Sequence, residues 1–285
     1  MVTLEALTRR IKEAPPLPEI VVRLLQASRD PNSDLREMVE LIRLEPALTT
    51  KVLRLCNSSF YGLPRRIKSI KEALIYLGTD TLINFILAGC LSTYYQQAQE
   101  GYGLSEGELW RHSVACGLAA RRLAAGSSDD EAAEAFTAGL LHDIGKIALN
   151  PYVAAEQGRI AKLVRERGVS FEAAEREVLG FSHTDAGAQM ARAWNLPDSL
   201  VAAIAHHQDP SRAEGHHELV ARVHLANILA VSFGYGLGSD GLATTFDPMA
   251  LRLVGLEVGD LYSLSIEIHE QFHQAEELVG LTAAR

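Results

Sequence analysis

His142 and Asp143 adjoin each other in the stretch Leu140-Leu141-His142-Asp143-Ile144-Gly145-Lys146, near the end of an apolar helical pattern. Burying such a pair costs free energy unless something satisfies it, and a metal ion does so. Imidazole and carboxylate together suit one or two divalent transition ions: iron, manganese or zinc. The dipeptide alone is common by chance, and a hydrogen-bonded His–Asp pair that merely ties helices together is the plainer alternative. Its companions add weight. Glu108 and His112 are four apart, on one face of a helix. His183 opens a helical stretch, and His206 and His207 close another. Adjacent helical residues point about 100° apart, so this pair can serve two ions, or one ion and a substrate. The candidate metal ligands are therefore Glu108, His112, His142, Asp143, His183, His206 and His207. Asp143 and Lys146 are the candidate catalytic groups. Lys146 can face a substrate phosphate, or it can simply neutralise a helix end.

Other chemically suggestive stretches read more plainly. His216 and His217 fall in a polar, solvated loop. His269-Glu270-Gln271-Phe272-His273 matches H-E-x-x-H, the zinc-protease pattern, but little chain follows it to supply a third ligand. It reads as a chance match on a surface helix. Asn57, Ser58 and Ser59 lack the G-x-S-x-G setting of a serine nucleophile and read as a turn between helices.

The elements that must hold these residues are helices. Pro15 to Pro18 suits a helix start. Asp34 with Glu37 reads as a cap, Pro46 starts another helix, and Asn57 to Pro64 is a turn-rich break. Ser69 caps a short helix ending at Gly78, and Thr79 opens the next. A polar stretch from Gln96 to Gly107 separates this part from longer patterns. Those cover 108–124, 130–149, 152–166, 171–179, 183–194, 197–207 and 218–233. A Gly-rich loop, 234–241, precedes a last helix at 260–279. No strand pair, repeat or low-complexity tract stands out, so the fold class is all-α.

Hydrophobic residues make up 47% of the 285, charged residues 22% and aromatics 6%, which are values of a folded helical chain. The net charge of -9 disfavours DNA and anionic membranes as partners. Arg65, Arg66, Lys68 and Lys71 form the clearest basic cluster, read as a solvated helix start. Cys56, Cys90 and Cys116 are odd in number and show no CxxC, which fits reduced thiols in the cytoplasm. The first residues lack a long apolar run, and no run reaches the ~20 residues of a membrane span.

The order of His112, His142-Asp143, His183 and His206-His207 resembles the HD superfamily of metal-dependent phosphohydrolases, and especially its HD-GYP branch. Two departures matter. The family's final Asp falls at Asn227, and Gln208-Asp209-Pro210-Ser211 lacks the Gly-Tyr-Pro signature. The N-terminal half is more telling. Cys56-Asn57-Ser58-Ser59-Phe60-Tyr61-Gly62-Leu63-Pro64, Ile67-Lys68-Ser69-Ile70 and Ala73-Leu74-Ile75-Tyr76-Leu77-Gly78 resemble the HDOD family, as do Pro16-Leu17-Pro18 and Glu45-Pro46-Ala47-Leu48. That resemblance implies an N-terminal helical subdomain, residues 1–98, packed on an HD-like bundle, residues 99–285. It also implies a bacterial signalling module with a metal pocket and weak or no catalysis. Its partner would be a signalling protein or a nucleotide or phosphate ligand. The alternatives are an active phosphohydrolase on a nucleotide or cyclic nucleotide, and a metal-free interaction scaffold.

Overall fold

Serine hydroxyls fix several of the helix starts that matter most. A computed structural model describes residues 66–276 and a few positions between Val39 and Asn57. The expectations at Pro15–Pro18, Asp34, Glu45–Leu48 and Ser58–Arg65 lie outside the described residues. Among the described residues the regular elements are helices, with no strand and with isolated bridges at Gln99–Leu104 and Ala125–Ser127. None of their helices is long and apolar enough to cross a membrane.

The described residues fall into two compact units, one being Tyr94–Ile268 and the other taking the residues up to Thr93 and those from His269. In the latter, Asn57 clasps its turn: Nδ2 donates to Leu53 O at 2.7 Å and Ile67 O at 2.8 Å, while Oδ1 accepts from Ile67 N at 2.6 Å. The first long helix, α1 (Ile70–Tyr95), starts at Ser69, whose Oγ accepts from Glu72 N, and is kinked at Gly78, where φ is 75°.

From Glu108 on the order is α2 (Glu108–Leu123), α3 (Asp129–Leu141), α4 (Gly145–Arg167), α5 (Phe171–Leu179), α6 (His183–Ala193), α7 (Asp198–His206), α8 (His217–Ser232), α9 (Pro248–Leu253) and α10 (Val258–Glu276). Helix α2 lies at the centre and is buried almost all round, so its run of Ala, Gly and Leu leaves room for α3 and α8 to pack on it. Helix α4 packs on α5 and α6, and α6 on α7. Ser128 and Ser182 each close a capping box, with Glu131 and Asp185, at the starts of α3 and α6. Each such cap stabilises its helix by about 1 kcal/mol.

Two expectations change here. The pattern over 130–149 is not one helix: it breaks at His142–Ile144, between α3 and α4. Conversely, α4 runs straight through Pro151, where a boundary was expected. Asn150, within α4, ties that region to the segment before α2, its Oδ1 accepting from Gly101 N at 2.8 Å. The short helix α9 was not anticipated, although Asp247 as cap and Pro248 at its first position are the signal for it.

Candidate metal centre

Helices α2, α3, α4, α6 and α7 bring His112, His142, Asp143, His183 and His207 together, all buried. His112 projects from the second turn of α2. His142 and Asp143 occupy the break between α3 and α4, a tight turn closed by Ile144 N to Leu141 O and Lys146 N to Asp143 O. Ser182 delivers His183 at the first residue of α6, and His207 caps the end of α7. Gly145 makes the α4–α6 approach possible: a Cβ there would lie 1.9 Å from His183 O.

Each ring has its Nδ1 fixed by an acceptor. Nδ1 of His112 lies 2.9 Å from Tyr235 O, that of His142 2.7 Å from Gly139 O, and that of His207 3.0 Å from Ile204 O. Nδ1 of His183 lies 2.7 Å from Glu175 Oε2. These acceptors place the proton on Nδ1 and turn the Nε2 lone pairs inward. The Nε2 atoms of His112 and His142 stand 3.4 and 3.3 Å from Asp143 Oδ2. Those of His183 and His207 both stand 3.6 Å from Asp143 Oδ1. Gln208 Nε2 also reaches His207 Nε2, at 3.2 Å.

A cation fits this arrangement. The Nε2 atoms of His112 and His142 face one another at 3.2 Å, where two lone pairs repel unless a proton or metal lies near. His183 Nε2 and both oxygens of Asp143 are buried and accept no well-directed hydrogen bond. The carboxylate has one ammonium partner, Lys146 Nζ at 2.6 Å, and keeps buried lone pairs that a divalent ion can take. Two metal-capable groups occur among the described residues, His112–Cys116–His142 and His142–Asp143–His207, and both belong to this cluster.

The same atoms take protons when no metal competes. Burial opposes charge on His112, but Cys116 and Asp143 outweigh it and raise the ring to about 10. Burial likewise opposes charge on His142, where Asp143 and Cys116 raise the ring to about 9. Burial would lift the Asp143 carboxyl, yet His142 and Lys146 hold it well below the usual carboxylate range. Burial and then His142 keep His207 well below the usual histidine range.

The surrounding groups are equally buried. Glu175 takes His183 N and Nδ1 on Oε2, and Tyr102 donates to its Oε1 at 2.6 Å. Lys146 Nζ sits 2.6 Å from Asp143 Oδ2, pairs with Asp240, and lies over the Tyr102 ring at 5.4 Å. Burial opposes charge on Lys146, but Asp143 and Asp240 outweigh it, so the ammonium stays charged. The Gly-rich loop supplies both Asp240 and Tyr235 O. It lies so close on α2 that a Cβ at Gly236 would come within 2.7 Å of His112 Cβ.

The structure does not bring every expected ligand here. Glu108 turns back, its Oε2 accepting from Ser105 N. His206 is half-buried, and its charged neighbours are Arg212, Asp209, Arg176 and Glu172 rather than Asp143. The step of about 100° from His207 carries it off the cluster. His216 and His217 are exposed. His269 and His273 face each other on α10 at 3.0 Å, with no third ligand grouped with them among the described residues. Glu175, Tyr102 and Asp240 were not singled out by the sequence. Cys116, one turn after His112, carried a usable signal in its spacing.

An uncharacterized protein of Treponema pallidum (strain Nichols) is 27% identical over 221 residues, spanning 77% of this chain and 42% of that protein. The chain spans less than half the length of the curated relatives it matches. Among solved structures, an HDOD domain protein of unknown function from Geobacter sulfurreducens superposes with a TM-score of 0.74 at 25% identity, covering 97% of this chain and 99% of that one. A proposed phosphohydrolase from Shewanella amazonensis SB2B gives 0.73 at 25% identity, covering 97% and 98%. The family model for the HDOD domain matches residues 14–210, well over half of the sequence, and the chain belongs to the HDOD domain family.

Proposed function

We propose that this chain is a bacterial signalling module whose helical bundle holds one or two divalent transition-metal ions and, with them, a phosphate-bearing ligand, with little or no turnover. His112, His142, Asp143, His183 and His207 are the ligands in this reading. The observation that carries it is the convergence of four Nε2 atoms on a buried carboxylate without well-directed hydrogen bonds. Iron, manganese and zinc suit this donor set. Bound there, such ions supply Lewis acidity towards phosphoryl oxygens. The chain's own groups argue for binding over rapid turnover. Lys146 is already answered by two carboxylates, so a phosphate must compete with Asp240 for it. Asn227, buried on α8, brings no negative charge where the resemblance places a carboxylate.

One observation favours a second reading, a metal-dependent phosphohydrolase. Asp143 presents Oδ2 to His112 and His142 and Oδ1 to His183 and His207, an arrangement suited to two ions. Elemental analysis of protein purified without an affinity tag tests the first reading. A nucleotide and cyclic-dinucleotide panel, run with manganese and with anaerobic ferrous iron, separates the two. We expect bound metal and no phosphate release above background. Metal-free protein that does not reload removes both readings and leaves an interaction scaffold. Robust turnover that His142→Ala abolishes establishes the enzyme.

A further inference from the structure

Cys116 lies one helical turn after His112 on α2, fully buried among the groups just described. Its Sγ is 3.6 Å from His112 Nε2. Sγ and one ring nitrogen each of His112 and His142 all lie within 4.8 Å of one another. Beyond them, its other polar contact is long, 3.9 Å to Ala226 O, so no strong hydrogen bond explains where the sulfur points.

We propose that Cys116 is a sulfur ligand of the metal centre, completing a His112–Cys116–His142–Asp143 set on the Oδ2 side. The inference rests on the metal reading above and adds the identity of one ligand.

The distances are those that ligands around one ion adopt. Tetrahedral sites with metal–nitrogen bonds of about 2.0–2.1 Å and metal–sulfur bonds of about 2.3 Å have N···N edges of about 3.3 Å and N···S edges of about 3.5 Å. Here the His112–His142 edge is 3.2 Å and the Cys116–His112 edge 3.6 Å. Asp143 Oδ2 stands 3.4 and 3.3 Å from the same two nitrogens. That oxygen is buried and ion-paired with Lys146 Nζ at 2.6 Å, yet it takes no well-directed hydrogen bond, so it keeps a lone pair for an ion.

Charge points the same way. Asn227 supplies no anion, and Ala226, its neighbour in the chain, is the α8 residue whose carbonyl faces Sγ. A coordinated thiolate restores one negative charge on the side of the centre that approaches α8. It also softens the site, shifting preference towards zinc and away from manganese.

Cobalt(II) tests this through its spectrum. The metal-depleted full chain is loaded with cobalt(II) without oxygen, and its absorption is recorded beside that of Cys116→Ser. We expect visible d–d bands in both and a near-ultraviolet sulfur-to-cobalt charge-transfer band in the wild type alone. A Cys56→Ser/Cys90→Ser chain, with Cys116 its sole thiol, keeps that band. It also provides the reading should Cys116→Ser fail to fold. Visible bands without the charge-transfer band overturn sulfur ligation and leave the metal centre standing. So does a charge-transfer band that survives Cys116→Ser. No cobalt bands at all overturn the metal reading and this inference together.

Discussion

Gly145 and His183 meet backbone to backbone: a Cβ on Gly145 would stand 1.9 Å from His183 O and 2.5 Å from Gly187 N. This contact joins the two halves of the candidate centre, since Gly145 follows Asp143 by two residues and His183 is the first residue of α6. Gly145→Ala must therefore push α4 and α6 apart. We expect a loss of about 1–3 kcal/mol in denaturant unfolding, as overpacking typically costs. Metal affinity should fall alongside it, because His183 Nε2 retreats from Asp143 Oδ1. A variant as stable as wild type, with metal retained, would show that the two helices close without this contact.

Glu175 governs His183 from behind. It is fully buried, accepts from His183 N and Nδ1, and receives the Tyr102 hydroxyl. Glu175→Ala leaves those donors without a partner, at about 1–3 kcal/mol of stability. Glu175→Gln keeps the volume but removes the charge that makes the imidazole a better donor. For Gln we expect metal affinity to drop about 10–100-fold, the usual range for such supporting carboxylates. Competition with a chelator of known affinity measures it, and equal affinities for Gln and wild type would discard the role.

Much of this was legible in the sequence, and the limits are physical. His112 on a helix face and His183 at a helix start were marked by local signals, whereas the break that carries His142 and Asp143 was not. The choice between neighbours was not marked either. Glu108 and Cys116 sit one turn before and one turn after His112, so both share its face. Only the packing of α3 on α2 decides that Cys116 meets His142 while Glu108 turns to Ser105. His206 and His207 pose the same problem, settled by how α7 rotates against α6. Glu175 and Asp240 were invisible for another reason. A mid-helix Glu and a loop Asp usually face solvent, and nothing local records that these two are buried.

Metal loading should release protons. In the metal-free protein, despite burial, Cys116 and Asp143 raise His112 and His142 above the ordinary histidine value, which favours an extra proton on this pair at neutral pH. An ion that takes the two Nε2 lone pairs must displace that proton. Affinity then falls as pH falls, since protons and metal compete for the same atoms. Calorimetric titration of zinc in buffers of different ionisation enthalpy counts the protons. A heat independent of buffer would mean the rings bind metal already neutral, or not at all.

His224 stands just behind His207 and is held neutral by geometry. Its Nδ1 lies 2.8 Å from His207 O, so it donates there, and its Nε2 accepts from Asp247 N at 3.0 Å. A proton on Nε2 would break the second bond, which secures the residue that caps α9. Burial lowers the ring's pKa below the ordinary histidine value. The unfolded chain takes up a proton near pH 6.5 that the folded ring refuses. His224 therefore adds stability that is fully present above about pH 6.5 and is lost as pH falls towards its depressed folded pKa. His224→Gln keeps a donor and an acceptor but does not titrate. Thermal unfolding of both chains between about pH 7.5 and pH 5.5 isolates the effect, because every other group titrates alike in the two. We expect the wild type to lose more Tm than the variant across that interval. Parallel losses would mean that His224 accepts its proton in the folded state as readily as in the unfolded one, and that the His207–His224–Asp247 relay does not hold.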